Sequence, residues 1–290
     1  MSSIFKKSIK RVVRKIVDFT PSVLISNIVY YYPKMIKIIG PNKEVFTNRY
    51  LGNIRVRANI KHIVERSMLL GIYEPDSIAI FNEFIKKGDV CLDIGANVGA
   101  LSLAMAQLVG NAGKVYSFEP GPTTYERLDY NIKLNKKFNN IIHTFNIGIS
   151  DRERLMFWEE DINHPGNAML QNFGKIEVPV VSIDEFFKNH FLSQLNFVKI
   201  DVEGMELEVL RGGTQTWKKH KPIFYFETLE PFRYRENGTS DRRDCFKEIE
   251  SFFKTIHYSI YNIKNINQIF KTNYLNVSNN TIALKNETKI

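Results

Sequence analysis

Cysteine is scarce: two residues in 290, Cys91 and Cys245, with no C-x-x-C spacing. That is too few for a disulfide framework, so a reducing, cytoplasmic compartment is expected. Cys91 stands inside an apolar run, where a thiol behaves as a small buried hydrophobe. No apolar run reaches the roughly 20 residues that a membrane span needs. "VLISNIVYYYPKMIKIIG" comes nearest, and Pro33, Lys34 and Lys37 interrupt it. No small-residue cleavage site is found, so no secretory signal is expected. The 6 histidines form no cluster with metal-ligand spacing. Acid is rare at one end only. Residues 1–70 hold 14 Lys and Arg against 3 acidic residues, while the other 220 hold 26 against 28. The net charge of +9 therefore belongs to an N-terminal segment, and the body is near neutral.

Within that segment, Phe5, Ile9, Val12 and Ile16 recur at helical spacing, and Lys6, Lys7, Lys10, Arg11, Arg14 and Lys15 crowd the other side. Such a basic amphipathic helix over residues 4–17 suits peripheral contact with an anionic membrane or RNA. It equally suits docking on the domain or on a second subunit, as in a homodimer. Three parts are expected: a basic helical extension over 1–70, one domain over 71–275, and an Asn- and Lys-rich end over 276–290. At 43% hydrophobic residues, the chain can bury a full core.

The body alternates strands and helices. "EPDSIAIFNEFIKKG" reads as a helix leading into the strand "VCLDIG", followed by a helix over 98–109. "KVYSFEP" is the next strand, 122–135 the next helix, and "IIHTFNIGIS" a third strand. After a detour through "LMFWEED", the loop "NHPGNAML" and "KIEVPVVSIDEFF", the strands "NFVKIDVEG" and "KPIFYFETLE" flank the helix "MELEVLRGG". "IHYSIYNI" and "TIALKN" have no strong helix between them, which predicts an antiparallel edge. The pattern implies an α/β fold with a mostly parallel sheet covered on both faces.

The turn "DIGANVG" sits at the carboxyl end of the first of these strands, where open α/β sheets bind ligands. Gly95 frees the turn of a Cβ, Asn97 tolerates a left-handed conformation, and Gly99 lets the helix pack closely. Glu119 ends the next strand, placed to accept hydrogen bonds from both ribose hydroxyls of an adenosine. NAD and S-adenosylmethionine fit so far. The turn lacks the middle glycine of G-x-G-x-x-G, and the only Y-x-x-x-K, Tyr30 to Lys34, precedes it and contains Pro33. An acid at Asp93 is unwelcome beside a pyrophosphate but suits a sulfonium with an ammonium group. Charge sign favours S-adenosylmethionine.

The blocks "DIGANVG", "FEP", "IGIS", "VSIDEF", "KIDVEGMELEVLRG" and "IFYFE" resemble, in order and rough spacing, those of the FkbM-family methyltransferases. The resemblance covers about residues 70–230. It implies a class I Rossmann-like fold, with a mostly parallel seven-stranded sheet and an antiparallel edge strand. It also implies S-adenosylmethionine as donor and O-methylation of a hydroxyl on a sugar or other small molecule. On this resemblance Asp93, Gly95, Asn97 and Gly99 would hold the methionine end, Glu119 and Pro120 the ribose, and Asn146, Gly148 and Ser150 would lie near the adenine. Asp201 would stand beside the transferred methyl, with Glu203 and Glu227 lining the reaction centre. A divalent metal between Asp201 and Glu227 is an alternative, not the favoured one. Glu203 has a rival role in capping the helix that follows.

His164, in the "NHPGNAML" loop, is a second candidate for the base, its ordinary pKa of about 6.5 suiting proton removal. Phe157, Trp158 and Phe173 are candidates for a sugar-stacking surface, or for a hairpin core. Two rival functions stand beside sugar O-methylation. One is RNA ribose 2′-O-methylation, motivated by the basic segment; base N-methylation is disfavoured because "DVEG" stands where D/N-P-P-Y/F would be. The other is a module that binds S-adenosylmethionine without turnover.

Overall fold

A computed structural model describes residues 44–60, 62–159, 169–190, 192–227, 242–265, 268–271 and 280–286. The amphipathic helix expected over 4–17 and His164 lie outside these residues. A hairpin, β1 (Glu44–Tyr50) and β2 (Ile54–Asn59), precedes helices α1 (Ile63–Leu70) and α2 (Pro75–Phe84). Then follow β3 (Val90–Ile94), α3 (Ala100–Val109), β4 (Lys114–Phe118), α4 (Pro122–Lys133), β5 (Ile142–Phe145) and β6 (Gly148–Ile149). Next come β7 (Arg154–Glu159), β8 (Met169–Gln171), β9 (Ile176–Val181) and α5 (Ile183–Asn189). The chain goes on through β10 (Phe197–Ile200), α6 (Glu206–Gly212), α7 (Thr214–His220) and β11 (Ile223–Glu227). It closes with α8 (Arg242–Thr255), β12 (Tyr258–Asn265), β13 (Gln268–Lys271) and β14 (Asn280–Lys285).

The main sheet has 8 strands in the order β13-β12-β14-β11-β10-β3-β4-β5. β11, β10, β3, β4 and β5 run parallel, and β14, β12 and β13 are antiparallel. The sheet is mostly parallel with an antiparallel edge, as expected, but has eight strands rather than seven, β13 being the added one. Every residue of β3 and β10 is buried, because an apolar cluster covers each face of the sheet. From β3 the chain steps outward to β4 and β5, then returns to β10 on β3's other side. Strand order therefore reverses between β3 and β10, the position where such sheets open a ligand crevice.

Three features differ from the sequence expectation. "IIHTFNIGIS" is not one strand. Asn146 turns inward after β5, its Nδ2 donating to Glu119 O at 2.9 Å and Pro120 O at 3.0 Å. β6 then leaves the main sheet and pairs with β9 in a second sheet, β6-β9-β7-β8. Second, the boundary drawn at residue 70 cuts through one core. Tyr50, Ile54, Val56, Val64 and Met68 pack in the same cluster as Leu101 and Leu103 of α3. The hairpin is also sewn to α4: Arg57 N donates to Asn131 Oδ1 and Arg55 N to Asn135 Oδ1, both at 2.9 Å. Arg127 joins Glu44 and the buried Glu65. Third, the boundary at 276 leaves out β14, which sits inside the sheet between β11 and β12. No helix among the described residues is long and apolar enough to cross a membrane.

Candidate functional site

The turn after β3 closes onto β4 and β10 together. Gly95 N and Ala96 N both donate to Phe118 O, at 3.0 and 2.9 Å. Gly95 has φ +80°, and a Cβ there would overlap the backbone carbonyl of Asp201. Asn97 is left-handed at φ 50°, and its side chain accepts from Val98 N at 2.8 Å. Gly99, at φ +89°, starts α3 with room for Leu128, whose Cδ1 would lie 2.7 Å from an added Cβ. Two strand ends thus meet at Gly95 with no space for a side chain. Gly95→Ala is expected to cost about 2–4 kcal/mol in urea denaturation, strain and overlap acting together. Gly52→Ala, with φ +91° but nothing within 4 Å, should cost about 1 kcal/mol. Equal costs would show that the strand ends separate freely.

Glu119, just past β4, is 3% exposed. Its Oε2 accepts from Asn97 N and its Oε1 from Gly121 N, each at 2.9 Å. Burial pushes its pKa up to about 7, against the pull of those two N–H groups and of Lys199, with Asp93 adding a smaller push upward. Each carboxylate oxygen keeps a second lone pair for a ligand.

Beneath the turn lies a lysine that the sequence reading passed over. Lys199, in the middle of β10, is 3% exposed. Its Nζ donates to Gly95 O at 2.7 Å and stands 3.1 Å from Asp93 Oδ1 and 3.4 Å from Asp201 Oδ2. Burial opposes its charge, but Asp93, Asp201 and Glu74 together hold its pKa above the ordinary range. Asp93 itself is fully buried and accepts from Ser102 Oγ at 2.6 Å. Its carboxylate anchors Lys199 under the turn.

At the end of β10, Asp201 N donates to Ile94 O at 3.0 Å, and the Asp201 side chain is 26% exposed. The next turn is tight: Glu203 has φ 55° and Gly204 φ 103°. The acid seen binding this turn's backbone is Glu206, another residue the sequence reading missed. Its Oε1 accepts from Gly204 N at 3.0 Å, and burial pushes its pKa up to about 8. Glu227, at the end of β11, is half-buried. Its pKa rises to about 7, first by burial, then by repulsion from Asp201, Glu203 and Glu74, with Lys199 opposing. Glu74, left-handed at φ 39° before α2, accepts from Ser77 Oγ at 2.7 Å. Burial and Glu74 raise the Tyr73 phenol well above its usual range, Asp201 contributing less.

Between these turns is a pocket open to solvent. Gly95, Asn97, Glu119, Pro120, Gly148, Asp201 and Glu203 line it, as do Phe118, Ile147, Trp158 and Val202. Asp93, Gly99, Asn146, Ser150 and Glu227 stand outside the lining. Of these, Asp93, Gly99 and Asn146 support the turns described above, while Ser150 Oγ takes a bond from Arg154 at 2.9 Å. Phe173 is 59% exposed, and Phe157 packs against Gly174, so neither shares the lining with Trp158. Among the described residues no group of three or more His, Cys, Asp or Glu is arranged to hold a metal ion.

Among the described residues the lining holds three carboxylates, Glu119, Asp201 and Glu203, and no Lys, Arg or His. A pyrophosphate would be repelled there. A sulfonium and an ammonium would be drawn in.

Residues 93–260 match the family model described as "Methyltransferase FkbM domain". The chain is 30% identical over 142 residues to hexuronic acid methyltransferase AglP of Haloferax volcanii, an alignment covering 49% of this chain and 56% of that protein. It is 26% identical over 183 residues to 2-O-methyltransferase NoeI of Sinorhizobium fredii, covering 55% of this chain and 73% of that one. Among solved structures, a methyltransferase FkbM from Methylobacillus flagellatus superposes with a TM-score of 0.43 at 14% identity, over 76% of this chain and 52% of that one.

Proposed function

The chain belongs to the FkbM methyltransferase family, and from that premise we propose that it transfers a methyl group from S-adenosylmethionine to a hydroxyl of a small molecule or glycan, a sugar above all. The observation that supports the donor assignment is the sign of the pocket, lined among the described residues by three carboxylates and no basic side chain. The names of AglP and NoeI, a hexuronic acid methyltransferase and a 2-O-methyltransferase, support the acceptor class.

When bound, S-adenosylmethionine supplies a methyl already activated by its sulfonium. The protein's task is then to align the acceptor oxygen, keep water away and take a proton. Glu119 would accept from the ribose hydroxyls with its free lone pairs. The Gly95–Asn97 turn would let the methionine end approach the backbone. Phe118, Ile147 and Val202 supply apolar walls. Asp201, the exposed member of the Lys199 pair, would receive the acceptor's hydroxyl proton, with Glu203 and Glu227 at hand to orient the acceptor.

Titration calorimetry with S-adenosylhomocysteine tests the donor site. Glu119→Ala should weaken binding by about tenfold or more, since a charge-assisted hydrogen bond contributes roughly 1.5–3 kcal/mol. pH gives an independent arm. Ribose hydroxyls donate to the ionised carboxylate, and Glu119 loses its proton only near pH 7. Affinity should therefore rise about tenfold from pH 6 to pH 8 in the wild type and stay level in Glu119→Gln. Unchanged affinity in Glu119→Ala would remove the ribose from this end of the pocket.

A further inference from the structure

The turn after β10 supplies Asp201, Val202 and Glu203 to the pocket lining. Glu203 is left-handed at φ 55°, and Gly204 follows at φ 103°. A non-glycine residue keeps such a backbone only where its surroundings hold it. Three contacts hold this one. Asp201 N is tied to Ile94 O at 3.0 Å. Val202 and Met205 pack into the apolar core of the second sheet, with Met156, Trp158 and Leu170. Behind them stands Glu206, the first residue of α6 and 4% exposed. Its carboxylate folds back over the turn and accepts from Gly204 N at 3.0 Å. Burial pushes the pKa of Glu206 up, and the N–H groups of Gly204, of Glu206 itself and of Val202 draw it down. Three N–H groups of one short stretch thus converge on a single buried acid, as in the backbone nests that bind anions. A helix cap bonds N–H groups of the helix's first turn. Two of these three, on Val202 and Gly204, lie ahead of α6, on the turn that meets the pocket. The bonding therefore serves the turn before it serves the helix.

We infer that Glu206 is a positioning residue for methyl transfer: it touches neither donor nor acceptor, and holds the Asp201–Gly204 turn so that Asp201 and Glu203 face the reacting methyl. The inference rests on the donor assignment above.

A pair of donor analogues tests it without an acceptor. In sinefungin an amine-bearing carbon replaces the methyl-bearing sulfur, so an ammonium stands where the methyl would be. S-adenosylhomocysteine carries no charge there. The ratio of their calorimetric affinities therefore reads the carboxylates that face that point. The wild type should prefer sinefungin by about tenfold. Glu206→Ala should lower that preference about fivefold or more, with affinity for S-adenosylhomocysteine within about threefold of wild type. Glu206→Gln keeps an oxygen for Gly204 N but not the charge, and should retain most of the preference. Should Glu206→Ala fail to fold, Glu206→Asp takes its place with the same expectation, since it keeps the charge but withdraws it by one methylene. An undiminished preference in that variant would overturn the inference. So would a Glu206→Gln as low as Glu206→Ala, because the preference would then follow the charge of Glu206 and not the shape of the turn. A wild type with no preference overturns it as well and leaves the donor assignment standing. Absence of any S-adenosylhomocysteine binding by the wild type would overturn both.

Discussion

Asp201→Asn is expected to cut methyl transfer by roughly 10²–10⁴-fold while changing affinity for S-adenosylhomocysteine much less. The substitution keeps the size of the side chain and removes its charge and basicity. Asp201 is the lining carboxylate that stands 3.4 Å from the buried Lys199. Lys199 keeps Asp93 at 3.1 Å and Gly95 O at 2.7 Å in the variant, so the fold should survive. Single-turnover rates with saturating donor read the chemical step directly. If Asp201→Asn retains most of the wild-type rate and His164→Ala proves the more damaging change, the base is His164.

Lys199→Met should produce the largest loss of stability, about 3–5 kcal/mol in urea denaturation, because it strands the fully buried Asp93 without its cation. Methionine matches the stem of lysine, so packing is nearly conserved and the loss reports charge. The Gly95 carbonyl loses its donor as well, and the turn that meets the ligand loses its support. The double variant Lys199→Met/Asp93→Asn should recover a substantial part, since the uncompensated carboxylate is gone. A loss under about 1 kcal/mol in the single variant would mean that water or a rearrangement replaces the lysine.

Much of this site can be read along the chain because its parts are local. Gly95, Asn97 and Gly99 are needed by one turn, and Glu119, Asp201 and Glu203 stand at or just past strand ends, so short motifs report them. What escaped is long-range. Lys199 looks like a strand residue with no function until β3 and β10 are paired, which places Asp93 beside it. Its signal was a lysine within the apolar run "FVKID", since buried lysines are nearly always paired. Asp93 was read as a ligand residue from its charge, yet its carboxylate is buried against Ser102 and Lys199. Trp158 could not be separated from Phe157 and Phe173 by alternation alone, because the pairing of β7 with both β8 and β9 decides which ring reaches the pocket. Domain limits at 70 and 276 failed for a similar reason. Charge and composition change there, but the hairpin β1–β2 and strand β14 join the core through contacts far along the chain.

Incubation of the protein and a methyl-deuterated donor with panels of glycans, small sugars and RNA, read by mass spectrometry, tests the central claim most directly. The account predicts the labelled methyl as an ether on a sugar hydroxyl of a glycan or small molecule, formed by the wild type and nearly lost in Asp201→Asn. Label appearing only on RNA ribose, or donor binding with no label on any acceptor, would contradict it.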